Sequence, residues 1–394
     1  MNLNKYLQGK GLDVSRNFSG IKNAKHFFVE PDNFYTLKKF VDYESRDFIY
    51  SKNLINDTKF FRILLKEWLN FCKVRGKIII EMKSNKILNF DKLIDESKLL
   101  LGEKTKIIEK IKTSEGGIIV LEKIKNVLEK NDSIDKWTFG IITNGSKEDV
   151  LENQIDSILA LNVPNFEIII CGPYNPKTKY KKFVKTIPFK PKIAWITLKK
   201  NLICKKAKYE NLVITHNRFN FDKNWHEGMK KYGNFFEVIV CKILSPSGKR
   251  AGDWITHGTD IRNQWVNQMG LLQYKDWDEN LVINGSFHIL KKAVWKKCPW
   301  DDSLIYGQSE DDKLSLDFHR KGIVPRFNLY STMHTFPERY GNWHWIYTFN
   351  NKRLGKIPFE FSTKYLQRKI DRFIRKYFNI GFIRKQDYET YGWS

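Results

Sequence analysis

Two adjacent carboxylates, Glu310 and Asp311, open the segment SEDDKLSLD. A carboxylate within hydrogen-bond reach of a hydroxyl can take its proton. Acids are also favoured in the first turn of a helix, so the pair reads equally as an acidic helix start. Three other polar groups carry different chemistry. His216-Asn217-Arg218 follows the apolar run NLVIT; an Asn carbonyl can ligate a hard cation, and imidazole suits Mn2+ better than Mg2+. Lys199-Lys200-Asn201, together with Arg218, offers cations for phosphate oxygens, which arginine can bind in bidentate fashion. Gly248 to Trp254 (GKRAGDW) is a polar loop that ends in Asp253-Trp254. His226, His257, His288 and His319 show no ligand spacing and read as structural or surface residues. The five cysteines form no CxxC pair, which argues against a zinc module or a disulfide framework. They read as small core residues of a reducing compartment.

Elements to hold these groups are written in the hydrophobic pattern, in three regions: 1–133, 134–349 and a tail, 350–394. In the first, RDFIY (Arg46 to Tyr50) reads as a strand and FFRILLKEWLNFCKV (Phe60 to Val74) as an amphipathic helix. Arg75-Gly76 reads as a stop. Strands are expected over Lys77 to Met82, Thr105 to Ile111 and Gly117 to Lys123, with a helix over Phe90 to Leu101. In the second region WTFGIIT (Trp137 to Thr143) is a strand that ends at Thr143-Asn144-Gly145. Lys147 to Leu161 is a helix, and EIIIC (Glu167 to Cys171) is a strand closing at Gly172-Pro173. This is a βαβ unit with parallel strands. Ligands of such sheets bind beyond the carboxyl ends of the strands, where Asn144 and the Cys171-Gly172-Pro173 corner sit; two tight connections would look the same. A third strand is expected over Lys192 to Ile196, then a helix to Tyr209, strand Asn211 to Thr215, helix Asp222 to Tyr232 and strand Phe235 to Cys241.

The order of these pieces resembles inverting glycosyltransferases of the GT-A fold, the family-2-like group, over about 137–336. Phe139 to Asn144, Glu167 to Gly172, Lys200-Asn201 with Ala207, and Val213 to Arg218 fill the places of that family's nucleotide-sugar half. Asn284-Gly285-Ser286 with FHILKKAVW resembles its acceptor loop. Glu310-Asp311 with Leu314, Ser315 and Gly322 resembles its segment bearing the general base. The resemblance implies Asp311 as base and Glu310 beside it as an acceptor ligand. It implies Thr143, Asn144, Gly172, Lys200, Asn201, Arg218 and Asp253 on the donor, and Gly285, Ser286 and Trp254 on the acceptor side. Trp254 would stack on a sugar face and Asp253 would bond sugar hydroxyls; a plain surface loop is the other reading. Trp277, Trp295, Trp300, Trp343 and Trp345 read more as core packing than as sugar platforms. The family's metal-binding place, normally an acidic triplet, is His216-Asn217-Arg218 here. Three alternatives follow: Mn2+ or Mg2+ held by Asn217, His216 and His334, direct neutralisation by Lys199, Lys200 and Arg218, or a silent site.

The first region resembles the C-terminal half of a Rossmann-like S-adenosylmethionine-dependent methyltransferase over about 43–123. The residues before Tyr43 show no strand leading into a Gly-rich loop. The expectation is a truncated, non-catalytic α/β domain that binds no S-adenosylmethionine. The fold class expected for the whole chain is α/β: a GT-A-like mixed sheet with flanking helices, a small degenerate Rossmann-like domain before it and a basic helical tail after it.

The 394 residues hold 69 Lys plus Arg against 44 Asp plus Glu, a formal charge of +25. Such an excess implies an anionic partner, and a bias toward Lys, Asn, Ile, Phe and Tyr implies compositional drift as well. No stretch reaches the roughly 18 apolar residues of a membrane span, and the start carries no signal-peptide pattern. A cytoplasmic protein is expected. Thr363 to Asn379 places apolar residues on one face and basic residues on the other, a pattern suited to an anionic membrane surface or to packing on the catalytic domain. The function expected is transfer of a sugar from a nucleoside-diphosphate donor to a hydroxyl of a glycan or lipid-linked acceptor, with inversion. The alternatives are a catalytically silent binding protein and a nucleic-acid-binding protein; no helix-turn-helix, zinc module or RNP-like strand supports the latter.

Overall fold

Short apolar runs rich in β-branched residues make two large sheets. The computed structural model describes residues 3–189, 194–256 and 270–336 and the backbone of 346–347. In the first region the elements are β1 (Gly11–Asp13), β2 (Ala24–His26), β3 (Arg46–Lys52), α1 (Phe61–Phe71), β4 (Cys72–Lys83), α2 (Phe90–Leu101), β5 (Thr105–Lys112) and β6 (Gly116–Lys123). Their sheet runs β2-β1-β3-β4-β6-β5. The first four strands are parallel, and β6 is antiparallel to both its neighbours. Helix α2 starts where expected because Asn89 caps it, accepting from the Lys92 amide at 2.8 Å. Lys123, fully buried, donates to the Leu69 and Cys72 carbonyls at the end of α1 and to Glu44.

Three expectations change here. The helix expected over Phe60 to Val74 ends at Phe71, and Cys72 to Val74 already belong to β4. A first strand does exist: GLD forms β1 beside β3, and its Leu12 is fully buried. The loop after it is not Gly-rich. It is closed by Asp13, which accepts from the amides of Ser15 and Ser19 and from the Ser19 hydroxyl. Ser15 Oγ in turn accepts from the Lys52 amide at the end of β3. Arg75-Gly76 is no stop but lies inside β4, where Arg75 takes a left-handed φ of 69° and the pairing with β3 shifts register.

The second region has β7 (Lys136–Ile142), α3 (Glu148–Leu159), β8 (Asn165–Cys171), β9 (Val184–Ile187), α4 (Ile196–Lys206), β10 (Asn211–His216), β11 (Phe219–Phe221), α5 (Trp225–Tyr232) and β12 (Val238–Leu244). There follow β13 (Ile255–Thr256), β14 (Gly270–Leu272), β15 (Leu281–Val282), β16 (Phe287–Lys291), α6 (Lys292–Lys297), α7 (Glu310–Arg320), β17 (Pro325–Thr335) and β18 (Ile346–Tyr347). The main sheet runs β11-β17-β12-β16-β10-β7-β8-β9, and β15-β13-β14-β18 form a small second one. Strands β10, β7, β8 and β9 are parallel, while β16 is antiparallel to β10 and β12. The third parallel strand is therefore β9, not Lys192 to Ile196. Ile196 opens α4, and 190–193 lie outside the described residues.

The whole is mixed α/β, with helices flanking large mixed sheets. One buried apolar cluster holds Leu65 and Trp68 of the first region together with Leu290, Val294 and Phe327 of the second. Arg326 on β17 spans the same seam. Its guanidinium meets Glu67 of α1 at 2.8 Å and the carbonyls of Asn33 and Tyr35. A second cluster sets Trp137 and Phe139 of β7 edge-to-face with Trp225 and Phe221. Among the described residues no helix is long and apolar enough to cross a membrane. The expected basic helix, Trp343, Trp345 and His257 fall outside the described residues.

Candidate active site

Strands β7, β8 and β10 end side by side, and Thr143, Asn144, Gly172, His216, Asn217 and Arg218 lie at those ends. Gly172 sits at φ 134°, and a Cβ there would run into the Thr143 carbonyl oxygen, so only glycine lets the two strand ends approach. The same Thr143 carbonyl accepts from Lys199 Nζ at 2.7 Å. Asn144 folds its own loop, its Oδ1 accepting from the amide and hydroxyl of Ser146. Asn217 ties that loop to β10 by donating to the Ser146 carbonyl at 3.2 Å.

Helix α4 carries the lysines inward. Lys200 is fully buried, and its Nζ donates to the Gly285 carbonyl at 2.6 Å and faces Glu310 Oε1 at 3.5 Å. The Gly285 amide donates to Asp311 Oδ2 at 3.2 Å. Ser286 accepts through its carbonyl from the His216 amide and donates to Asn284 Oδ1. Asn284 donates to the Gly252 carbonyl. Contacts therefore run unbroken from Thr143 through Lys199-Lys200, His216-Asn217 and Gly285-Ser286 to Glu310-Asp311. Asn201 is joined elsewhere: its amide bonds Trp300 and Asp302 and accepts from the Trp295 indole, tying down the 295–302 segment.

Ser309, left-handed at φ 59°, turns the chain into α7 so that the acid pair opens the helix. Burial, then repulsion from Glu310 and Asp312, pushes the Asp311 carboxyl up to about 7, against the pull of Lys200. Burial lowers Lys199 to about 8 and also lowers Lys200, against the attraction of Glu310 and Asp311.

The proposed metal ligands do not fit a divalent cation. His216 is buried, and desolvation followed by Arg218, Lys200, His288 and Lys199 holds its imidazole well below the usual range. A neutral imidazole can ligate, but three cationic side chains beside it repel a cation. Among the described residues no group of three or more His, Cys, Asp or Glu is placed to hold a metal. His334 lies on β17, opposite Asn220.

Two expected sugar contacts need correction. Asp253 is fully buried and accepts from Arg250 Nε, the Ile243 and Trp254 amides and the Tyr274 hydroxyl. Four protein donors occupy the oxygens that sugar hydroxyls would need. Trp254 is fully buried too, its indole donating to the Asp276 carbonyl and its ring edge-on to Phe327. A ring with no exposed face offers no platform. Trp277 and Trp300 are likewise core.

His288, which shows no ligand spacing in the sequence, lies near Lys200. His288 on β16 is buried, lies edge-on to Trp300 at 5.1 Å, and has neither ring nitrogen bonded among the described residues. Burial first, then the Lys200 charge, holds its imidazole well below the usual range. Its only sequence signal is the apolar strand around it, which is also the signal of a core residue.

No protein-family model matches the chain, and no curated protein matches it. Among solved structures it is similar to S. aureus TarS 1–349, with 12% identity and a TM-score of 0.37 over 51% of this chain and 60% of that one. The same protein in complex with UDP gives 12% identity and a TM-score of 0.36, with the same coverage. GalNAc-T7, solved with UDP, GalNAc and Mn2+, gives 12% identity and a TM-score of 0.38 over 61% of this chain and 48% of that one. The chain thus spans between about half and three fifths of the length of these chains. The likeness is one of mixed α/β fold and extends no further.

Proposed function

We propose that the protein is a glycosyltransferase that moves a sugar from a nucleoside-diphosphate donor to an acceptor hydroxyl with inversion. The observation that carries this reading is the Asp311 carboxylate, held by the Gly285 amide at the carboxyl ends of parallel strands and poised near neutral pH. Transfer passes through an oxocarbenium-like state, as in glycoside hydrolysis. Asp311 takes the acceptor hydroxyl proton while that oxygen bonds the anomeric carbon. The bond from that carbon to the phosphate oxygen breaks on the opposite face, and the nucleoside diphosphate leaves with the electron pair. Its negative charge matches the cations gathered near His216, Lys199 and Arg218 among them. Asn144, Gly172 and Ser286 line the same strand ends, suited to donor and acceptor backbone contacts. The acceptor is a glycan or lipid-linked hydroxyl, and the basic tail would hold a cytoplasmic enzyme against an anionic membrane.

The test is thermal unfolding with UDP-, GDP-, CMP- and dTDP-sugars, each with and without Mn2+. A ligand at about 100 times its dissociation constant adds about 2.7 kcal/mol. Stabilisation by one nucleotide class, undiminished without Mn2+, is the expected result. Stabilisation by none of them would remove the transferase reading.

A further inference from the structure

We infer that Lys200 is a positioning residue for the Asp311 carboxylate, acting through Gly285, and not a ligand of the donor phosphates. The inference rests on the reading of Asp311 as the base. Lys200 was expected on the donor because its place in the chain matches a donor-binding lysine, but its surroundings place it with the acids. Its Nζ is sealed beneath the Trp300 ring, 5.3 Å from the centroid, and is shared between the Gly285 carbonyl and Glu310. Gly285 is held at both ends, its carbonyl by Lys200 and its amide by Asp311. A Cβ there would stand 2.8 Å from Glu310 Oε1 and 3.0 Å from Asp311 Oδ2, so glycine is what lets the loop lie against both acids. Lys199, one residue earlier, bonds Thr143 on the donor side instead. The two neighbouring lysines therefore serve opposite halves of the site.

The charges around Asp311 give Lys200 a second effect. Burial raises it first, then Glu310 and Asp312 on its own helix, and Lys200 from α4 is the cation that opposes them. Lys200 is itself faced by His288 from β16 and Cys204 from its own helix. Removing the Lys200 charge leaves only the Asp312 and Gly285 amides to favour the Asp311 carboxylate, so its midpoint is expected to rise. Carboxyl NMR titration of the full chain reads this directly, with Asp311 assigned by its loss in Asp311→Asn. Lys200→Met and Lys200→Gln are expected to lift the midpoint by about one unit or more, while the stabilisation given by the best nucleotide sugar keeps its size. Lys200→Gln retains a donor for Gly285 and serves if Lys200→Met does not fold. A midpoint that stays in place overturns the inference, and lost nucleotide stabilisation beside it would return Lys200 to the donor. If no nucleotide stabilises even the wild type, the transferase reading falls, while the Asp311 midpoint still decides the role of Lys200.

Discussion

Asp311 is the residue on which the proposed chemistry turns. Asp311→Asn should lower kcat by about 10^2 to 10^4 while leaving the fold intact, measured as transfer to acceptor alongside a thermal melt. In the wild type the rate should rise with pH through about 7, as the carboxyl becomes a base. The stability consequence has the opposite sign. A folded pKa raised from 3.8 to about 7 means that the folded state binds the proton more tightly than the unfolded one. That contribution is full below the unfolded value and is lost as pH rises to about 7. Asp311→Asn should therefore gain stability relative to wild type above pH 7 and lose that advantage toward pH 4; chemical denaturation across that range checks it. Asp253 behaves differently. Asp253→Ala strands a guanidinium and two amides, and should cost about 3 kcal/mol in a urea titration. The acid pair was legible in sequence because its neighbours carry a pattern. The burial of Asp253 and Trp254 was not, since a polar loop of the same composition can face solvent or close on itself. What decides is Tyr274, 21 residues away, whose hydroxyl meets Asp253.

At the scale of elements, the strand ends set the geometry. Gly172→Ala should push β8 away from Thr143 and destabilise by at least about 2 kcal/mol, with weaker nucleotide binding in the same thermal assay. Helices α2 and α3 and strands β7, β8 and β10 could be read within a few residues because each is long enough for its period to repeat. Strands β1 and β2 could not, since three residues carry no period; their stability comes from parallel partners distant in the chain. β4 was cut short at Arg75-Gly76, because a turn-like pair inside a strand looks like an end unless the register shift beside it is known. The apolar run before Ile196 suggested a strand, yet Ile196 belongs to α4 and the pairing to β8 is made by Val184–Ile187.

Among the described residues the first two regions are joined by apolar packing, by the buried pairs Arg326–Glu67 and Lys291–Asp132, and by more exposed pairs such as Lys66–Glu237. Arg326→Met should leave Glu67 buried without its cation and cost about 3–5 kcal/mol. Calorimetry should show a single transition moved to lower temperature, not two, because the apolar cluster crosses the seam. A sequence boundary near 133 is visible in composition; a shared core is not, since it depends on which faces meet.

All five cysteines are buried, and desolvation pushes every thiol upward. Only thiolates react quickly with alkylating reagents, so the native protein should be nearly silent to them. The chain thus carries five internal clocks: Cys72 in the first region's sheet, Cys171 at the rim of the site, Cys204 on α4, Cys241 in the main sheet of the second region and Cys298 beyond α6. Mass spectrometry of timed alkylation would read each one separately. Cys72 and Cys241 should share one rate if the sheets open together, and Cys171 should run ahead of both if the site breathes before the rest.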